Sequence, residues 1–113
     1  MGYLQPLAIP GRPFDTVSLD FITGLPLSNG KDTILVLVDK LTKFAHFIAT
    51  MSNINARDTA VLIFKRVVKV FRLLEVIISD RDPRWINSVW TNLAVIFNSH
   101  LALSTSRHPQ TDG

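Results

Sequence analysis

The first half of the chain shows the apolar and polar patterns that are typical of β-strands. Residues 1–13 contain three prolines and predict an extended lead-in. Residues 14–23 alternate between apolar and polar side chains, which predicts a first strand. Residues 33–38 form a continuous aliphatic run and predict a strand buried on both faces, and residues 44–50 predict a shorter third strand. Because the links are short, the three strands are expected to form an antiparallel meander.

The pattern then changes to a helical period. Asn55 is a plausible N-cap, and Asp58 lies three residues on, near the positive end of the predicted helix. Apolar residues follow at helical spacing, namely Ala60, Ile63, Phe64, Val67 and Phe71. Residues 75–79 predict a fourth strand. A strand that follows a strand and a helix usually lies parallel within the same sheet.

The remaining segments predict a second helix and one more strand. Residues 80–87 are predicted to be a charged loop, and residues 88–99 a helix with one apolar face. Residues 101–104 are predicted to be a fifth strand, and residues 107–113 a polar tail. The element order is therefore strand, strand, strand, helix, strand, helix, strand, which indicates an α/β fold with a mixed sheet.

Composition excludes several classes of protein. A chain of 113 residues has room for one domain. Only 19% of the residues are charged and the mean hydropathy is +0.25, which argues against a disordered chain. Without cysteine there is no disulfide framework and no thiolate zinc site, and an intracellular location is expected. No apolar run is long enough to span a membrane. The net charge of +3 is compatible with binding to nucleic acid.

Two acidic residues stand out by their positions. Asp20 lies inside an apolar strand, and Asp80 directly follows another. If these strands are neighbours, both carboxylates lie at one end of the sheet, where they suit Mg²⁺ or Mn²⁺. Spacing alone favours the structural interpretation, in which Asp80 caps a turn and Asp20 is partly exposed. Asp39 is predicted to initiate a turn, and Asp82 to shape the loop before Pro83.

Basic side chains are placed close to these acids in the sequence. Arg81, Arg84 and Arg107 with His108 bring hydrogen-bond donors to the two loops nearest the acids, and arginine suits bidentate contact with phosphate. The alternative is an ordinary solvated loop, which composition does not exclude. Trp85 and Trp90 are predicted to be core residues rather than platforms on which bases stack.

Four blocks of sequence, taken in order, resemble the integrase catalytic core of gypsy-type LTR retrotransposons, a core with a ribonuclease H-like fold. The blocks span nearly the whole chain, which makes the resemblance specific. They are Ser18-Leu19-Asp20-Phe21-Ile22-Thr23-Gly24-Leu25-Pro26, then Val38-Asp39-Lys40-Leu41-Thr42-Lys43 continuing into Ala45-His46-Phe47, then Ile78-Ser79-Asp80-Arg81-Asp82-Pro83-Arg84, and finally Ser104-Thr105 with His108-Pro109-Gln110-Thr111-Asp112-Gly113.

The resemblance implies a catalytic role for both acids. That family uses an Asp-Asp-Glu triad, and Asp20 and Asp80 match its two aspartates. Its glutamate follows the fourth block, and this chain stops at Gly113 before that position. The implied activity is Mg²⁺- or Mn²⁺-dependent DNA strand transfer during DNA integration. Residues 14–113 would be a partial catalytic core, incomplete at its C-terminus, with little catalysis expected from it alone.

The resemblance also implies partners and a location. DNA, both the element's ends and the target, is the expected partner. The full-length protein is expected to form a homo-oligomer in a nuclear or intracellular location, without a membrane. Two departures from the family pattern, at Leu73-Leu74 and Arg107, suggest a diverged copy.

Two alternatives remain open at this point. The first is a non-catalytic remnant that binds nucleic acid through phosphate contacts from Lys43, Arg81, Arg84 and Gln110. The second is a small α/β module with an acidic pocket, similar to a receiver domain. An antiparallel meander argues against the second, because receiver sheets are wholly parallel.

Overall fold

A computed structural model describes residues 12–68 and 72–112, with side chains as far as Ser104. Most of the predicted extended lead-in, residues 1–13, lies outside this part of the chain. The strands are β1 (Thr16–Ile22), β2 (Thr33–Asp39), β3 (Ala45–Thr50) and β4 (Val76–Ile78). The helices are α1 (Ala56–Ile63), which continues into a π-helical segment (Phe64–Val68), and α2 (Pro83–Asp112).

The four strands form one mixed sheet in the order β3-β2-β1-β4. β1 pairs antiparallel with β2, and β2 with β3, which confirms the predicted meander. β4 pairs parallel with β1 after the α1 crossover, also as predicted. The architecture is therefore mixed α/β and compatible with a ribonuclease H-like fold.

Local sequence signals explain the turn before β2 and the start of α1. Asn29 and Gly30 both adopt positive φ between Ser28 and Lys31, whose backbone groups exchange two hydrogen bonds of 2.9 and 3.0 Å. Asparagine followed by glycine tolerates this conformation best. The Asn55 side chain accepts a hydrogen bond of 2.7 Å from the backbone N–H of Asp58, which confirms the predicted N-cap.

The second half of the chain corrects three predictions. Residues 83–87 are helical rather than part of a loop, because α2 begins at Pro83, directly after the capping residue Asp82. The predicted helix at residues 88–99 is the middle of α2. The predicted fifth strand at 101–104 and much of the predicted polar tail also belong to α2. Leu101 and Leu103 are exposed on that helix, so their apolar pattern does not mark a strand.

The core lies between the sheet and the two helices. Alternate residues of β1, β2 and β3 point toward the helices and are buried, and they pack in one cluster with residues of both helices. The cluster includes Val17, Leu19, Leu35, Leu37, Ile48, Ala60, Ile63, Val67, Val89 and Leu93.

The other side of the sheet, which we call the open face, is not covered by any helix within the described residues. Its most exposed apolar side chains are Ile22, Phe47, Val76 and Ile78, at 45–59% exposure. Ile34, Val36 and Val38 on the same side are half-buried. One side of the sheet is therefore a packed core, and the other is an apolar surface that also carries Asp20.

Candidate functional site

The two candidate acids belong to neighbouring strands: Asp20 lies two residues before the end of β1, and Asp80 lies two residues after the end of β4. Asp20 is in β1, and its side chain is exposed on the open face. β4 pairs with β1 so that Ser18 is opposite Ile78. Continuing this parallel register by two residues brings Asp80, which is also exposed, level with Asp20. The strand pairing therefore brings the two acids to neighbouring strands, and the close approach of their carboxylates stays a prediction.

Both carboxylates are available to a ligand. Asp20 Oδ1 accepts a hydrogen bond of 2.8 Å from the backbone N–H of Phe21. Among the described residues, neither Asp20 nor Asp80 forms an ion pair, and no group of three or more His, Cys, Asp and Glu residues is suited to holding a metal. Exposed carboxylate oxygens fit a hard divalent ion that keeps several of its waters, as Mg²⁺ does.

The two arginines that follow β4 differ in their partners. The Arg81 guanidinium stacks 4.5 Å from the centre of the Phe21 ring and has no carboxylate partner in the described part of the chain. Arg84 instead forms an ion pair of 3.1 Å with Asp82. Hydrogen bonds from the Arg84 side chain and backbone hold the pKa of Asp82 below its ordinary value. Arg81 is therefore the cation better placed to meet an anionic ligand.

Asp82 also fixes the start of α2. Its Oδ1 accepts a hydrogen bond of 2.8 Å from the backbone N–H of Arg84, and its carbonyl accepts one of 3.0 Å from Ile86. The structural interpretation of Asp82 is confirmed, and the helix start holds Arg84 close to the strand ends. Trp85 in the same turn packs against Phe21, with 5.9 Å between ring centroids.

Lys43, another predicted nucleic-acid contact, does not lie near the acids. Lys43 lies in the β2–β3 turn, beside the first residues of β1 and therefore at the opposite end of the sheet from Asp80. His108 and Gln110 have their backbone in α2, but their side chains lie outside the described residues. Of the predicted basic and polar contacts, Arg81 and Arg84 are the ones that the structure places near the acids.

Asp39, in contrast, has a structural role. It is fully buried, and its carboxylate accepts hydrogen bonds from the backbone N–H groups of Phe14, Leu41 and Thr42 and from the Thr42 hydroxyl. The interpretation of Asp39 as a turn initiator is confirmed.

A cavity of about 300 Å³ adjoins the acid-bearing strand ends. Phe21, Thr23, Ser52, Arg81 and Trp85 contribute to its lining. The contributions of Thr23 and Ser52 are not among the predicted site residues, because these two residues come from different loops. The alternation of β1 is the signal that points to Thr23, since it places Thr23 on the same side as Phe21.

The sequence is similar to known polyproteins over almost its full length. It is 36% identical over 112 residues, 99% of this chain, to the Transposon Tf2-3 polyprotein and to the Transposon Tf2-4 polyprotein of Schizosaccharomyces pombe. The chain is retrotransposon-derived. This retrotransposon-derived chain spans 8% of the length of these relatives. No family model matches its sequence.

No helix within the described residues is long and apolar enough to cross a lipid bilayer.

Proposed function

We propose that residues 14–113 are part of an integrase catalytic core, in which Asp20 and Asp80 hold a divalent cation for phosphoryl transfer on DNA. The observation that supports this proposal is the parallel pairing of β1 with β4, since Asp20 lies in β1, Asp80 lies two residues after β4, and both are exposed. The relationship to transposon polyproteins supports the same function.

Each residue near the strand ends has a distinct part in this proposal. Asp20 and Asp80 are the oxygen ligands of Mg²⁺ or Mn²⁺, and Arg81 contacts a phosphate of the DNA strand. Arg84 is a weaker phosphate contact because Asp82 already partly neutralises it. When bound, the cation supplies charge stabilisation for the attacking and leaving oxygens of the phosphodiester. Lys43, at the far end of the sheet, would contact more distant DNA.

The 113-residue chain is expected to bind metal weakly and to transfer strands very slowly. Two carboxylates hold one ion with several waters, whereas the resemblance implies a third acidic ligand for a second ion. The function also implies a nuclear location and assembly of the full-length protein into a homo-oligomer, with DNA as partner.

Metal binding tests the role of the two acids. Mn²⁺ affinity is measured by the paramagnetic resonance signal of the free ion, with Asp20→Asn and Asp80→Asn as the variants. Either substitution is expected to weaken binding at least about tenfold, because one of two charged ligands is lost. Asp58→Asn, an exposed acid on α1, is the matched control. Unchanged affinity in both ligand variants contradicts the proposal.

A second candidate is a non-catalytic remnant that binds DNA, and it is favoured by the guanidinium of Arg81, which forms no ion pair within the described part of the chain. DNA binding is then salt-sensitive and independent of both sequence and metal. Arg81→Ala is expected to reduce the slope of log affinity against log salt by about one phosphate contact. If DNA binding shows this slope while no Mn²⁺ binds, the remnant is the correct function. A slope near zero for the unmodified chain argues against DNA binding of either kind.

A further inference from the structure

The cavity beside the strand ends lies on the opposite side of β1 from Asp20. Phe21 follows Asp20, and successive side chains in a strand point to opposite faces of the sheet. The cavity is bounded by the ends of β1 and β2, by the segment after β3 and by the first turn of α2. It therefore opens within one residue of Asp20 along β1, and within one residue of Asp80 along the following loop.

The cavity combines an aromatic wall, hydroxyl groups, the cation of Arg81 and the carboxylate of Asp82. Phe21 and Trp85 meet edge to face, and Ile54 extends this apolar wall. Thr23 and Ser52 bring exposed hydroxyls. Arg81 completes the lining, with its guanidinium stacked on Phe21. A flat ring with polar edges, joined to an anionic group, matches this set of contacts.

The stacking of Arg81 on Phe21 and its lack of an ion pair among the described residues indicate which anionic group the ligand carries. Stacking on an aromatic ring orients a guanidinium and leaves the N–H groups at its edge free for bidentate contact with phosphate. Arg81 lies between two acids in the sequence: Asp80 forms no ion pair within the described residues, and Asp82, which also lines the cavity, is already engaged by Arg84 and by the start of α2. The positive charge of Arg81 is therefore not matched by any ion pair among the described residues.

We propose that this cavity receives one unpaired nucleotide of a nucleic-acid strand, with its base against the Phe21–Trp85 wall and its phosphate on Arg81. A cavity of about 300 Å³ is at the lower limit for small-molecule sites and admits a single nucleotide rather than a base pair. The inference rests on the proposed function in one respect, because the neighbouring phosphodiester of the same strand then lies at Asp20 and Asp80. The cavity thus selects strands that are unpaired next to the reacting bond.

The test compares single-stranded with duplex DNA, without divalent metal. Fluorescence anisotropy follows the binding of a short labelled oligothymidylate and of a blunt duplex. Ser52→Leu narrows the cavity without changing the charge, and Ser28→Leu is its matched control in the turn before β2. We expect Ser52→Leu to weaken oligothymidylate binding about tenfold, in line with the loss of one stacked base. Duplex binding and the control variant are expected to stay within about twofold of the unmodified chain.

A second variant separates stacking from charge. Arg81→Lys keeps the positive charge but loses the planar guanidinium, so oligothymidylate binding is expected to weaken about tenfold while duplex binding changes little. The inference is overturned if Ser52→Leu leaves oligothymidylate binding unchanged, or if it weakens both DNAs equally.

The outcomes also distinguish this inference from the proposed function. Because the DNA measurements contain no metal, they do not depend on Asp20 or Asp80 as ligands. Loss of Mn²⁺ binding in Asp20→Asn, together with no effect of Ser52→Leu, would keep the metal site and overturn the nucleotide cavity. A selective effect of Ser52→Leu on oligothymidylate binding, without any Mn²⁺ binding, would support nucleotide binding in the cavity and overturn the proposed metal site.

Discussion

The buried carboxylate of Asp39 joins the segment before β1 to the turn that follows β2. It accepts hydrogen bonds from Phe14 N at 2.9 Å, from Leu41 N at 3.3 Å, and from the Thr42 backbone N–H and hydroxyl at 3.2 and 2.6 Å. Burial raises the pKa of Asp39, but the hydrogen bonds from Thr42, Phe14 and Leu41 outweigh it, so the pKa lies below its ordinary value of 3.8. The charged form is therefore the one that the fold stabilises.

Replacing Asp39 with asparagine is expected to destabilise the chain by about 2 kcal/mol, since charge-assisted hydrogen bonds are replaced by weaker ones. A carboxyl group with a lowered pKa contributes stability above pH 3.8, and this contribution is lost as the pH falls through its folded value. Urea unfolding across this range measures both effects. The variant is expected to lose less stability on acidification than the unmodified chain. An equal acid dependence in both proteins would contradict this account.

His46 is a second residue whose charge state is set by the fold. Its ring packs against Phe14 and Phe44, with centroids 5.2 and 5.1 Å away, and its buried Nε2 has no hydrogen-bond partner among the described residues. Burial, and then the positive charge of Arg66, lower the pKa of His46 below its ordinary value of 6.5. The fold therefore favours the neutral ring.

His46→Leu is expected to remove one component of the acid sensitivity of the chain. The unfolded chain binds a proton near pH 6.5 and the folded chain binds it only at lower pH, so stability falls as the pH drops below 6.5. In the variant, thermal unfolding is expected to show a flatter pH profile just below this value. Arg66→Gln is the companion variant, because it removes the charge that opposes protonation and is expected to weaken the same dependence. A profile that His46→Leu leaves unchanged would assign the sensitivity to another group.

Among the secondary-structure elements, β1 and β4 are linked by an ion pair outside the sheet. The Arg72 guanidinium donates hydrogen bonds of 2.9 and 3.2 Å to the buried Asp15 carboxylate. The Asp15 carbonyl accepts hydrogen bonds from the backbone N–H groups of Glu75 and Val76, at the start of β4. These contacts hold β4 in the register that brings Asp80 level with Asp20.

Arg72→Met keeps the apolar stem and removes the charge, which leaves the Asp15 carboxylate buried without its partner. We expect a loss of about 2 kcal/mol in the free energy of unfolding, the size of a lost hydrogen bond to a charged group. Lys65→Met, at an exposed position of the π-helical segment, is the control and is expected to change stability little. If Arg72→Met unfolds at the same urea concentration as the unmodified chain, the ion pair does not secure β4.

A secondary-structure element can be predicted from the sequence when the residues that determine it lie close together in the chain. The meander and the parallel β4 could be predicted, because strand periodicity and the crossover rule act over short stretches. The start of α2 was missed because charged residues obscured a capping signal at Asp82-Pro83. The strand predicted at 101–104 was wrong because α2 continues through it. Long-range contacts such as Arg72 with Asp15, 57 residues apart, have no local signature.

The candidate site also contains features that the local sequence predicts and features that it does not. The placement of Asp20 and Asp80 on neighbouring strands could be predicted, since each interrupts or follows an apolar strand and the pairing of the strands was also predictable. The availability of Arg81 depends on the competing pair formed by Arg84 and Asp82. The cavity needs several separate segments to meet, so the contribution of Ser52 could not be predicted from any one of them, whereas the alternation of β1 indicates only the side on which Thr23 lies.

For the whole molecule, the open face of the sheet is expected to limit solubility. Phe47 and Ile78 are 59% and 47% exposed there, beside the half-buried Val36 and Val38. Apolar patches larger than a few hundred Å² mark interaction sites or sites of aggregation. Each large apolar side chain left in water forgoes about 1.5–3 kcal/mol of burial. The isolated chain is therefore expected to bind a hydrophobic dye and to aggregate at moderate concentration.

The double variant Phe47→Thr with Ile78→Thr tests this expectation, because threonine retains strand propensity and adds a hydroxyl. Dye fluorescence and light scattering are expected to fall, while the unfolding temperature changes little, since neither side chain belongs to the buried core. The control is Leu37→Thr, on the fully buried side of β2, which is expected to cost about 2–5 kcal/mol. Dye binding that persists in the double variant would show that the surface responsible for dye binding and aggregation lies outside the open face. A monodisperse unmodified chain with a cooperative transition well above room temperature would show that the open face is stable in water.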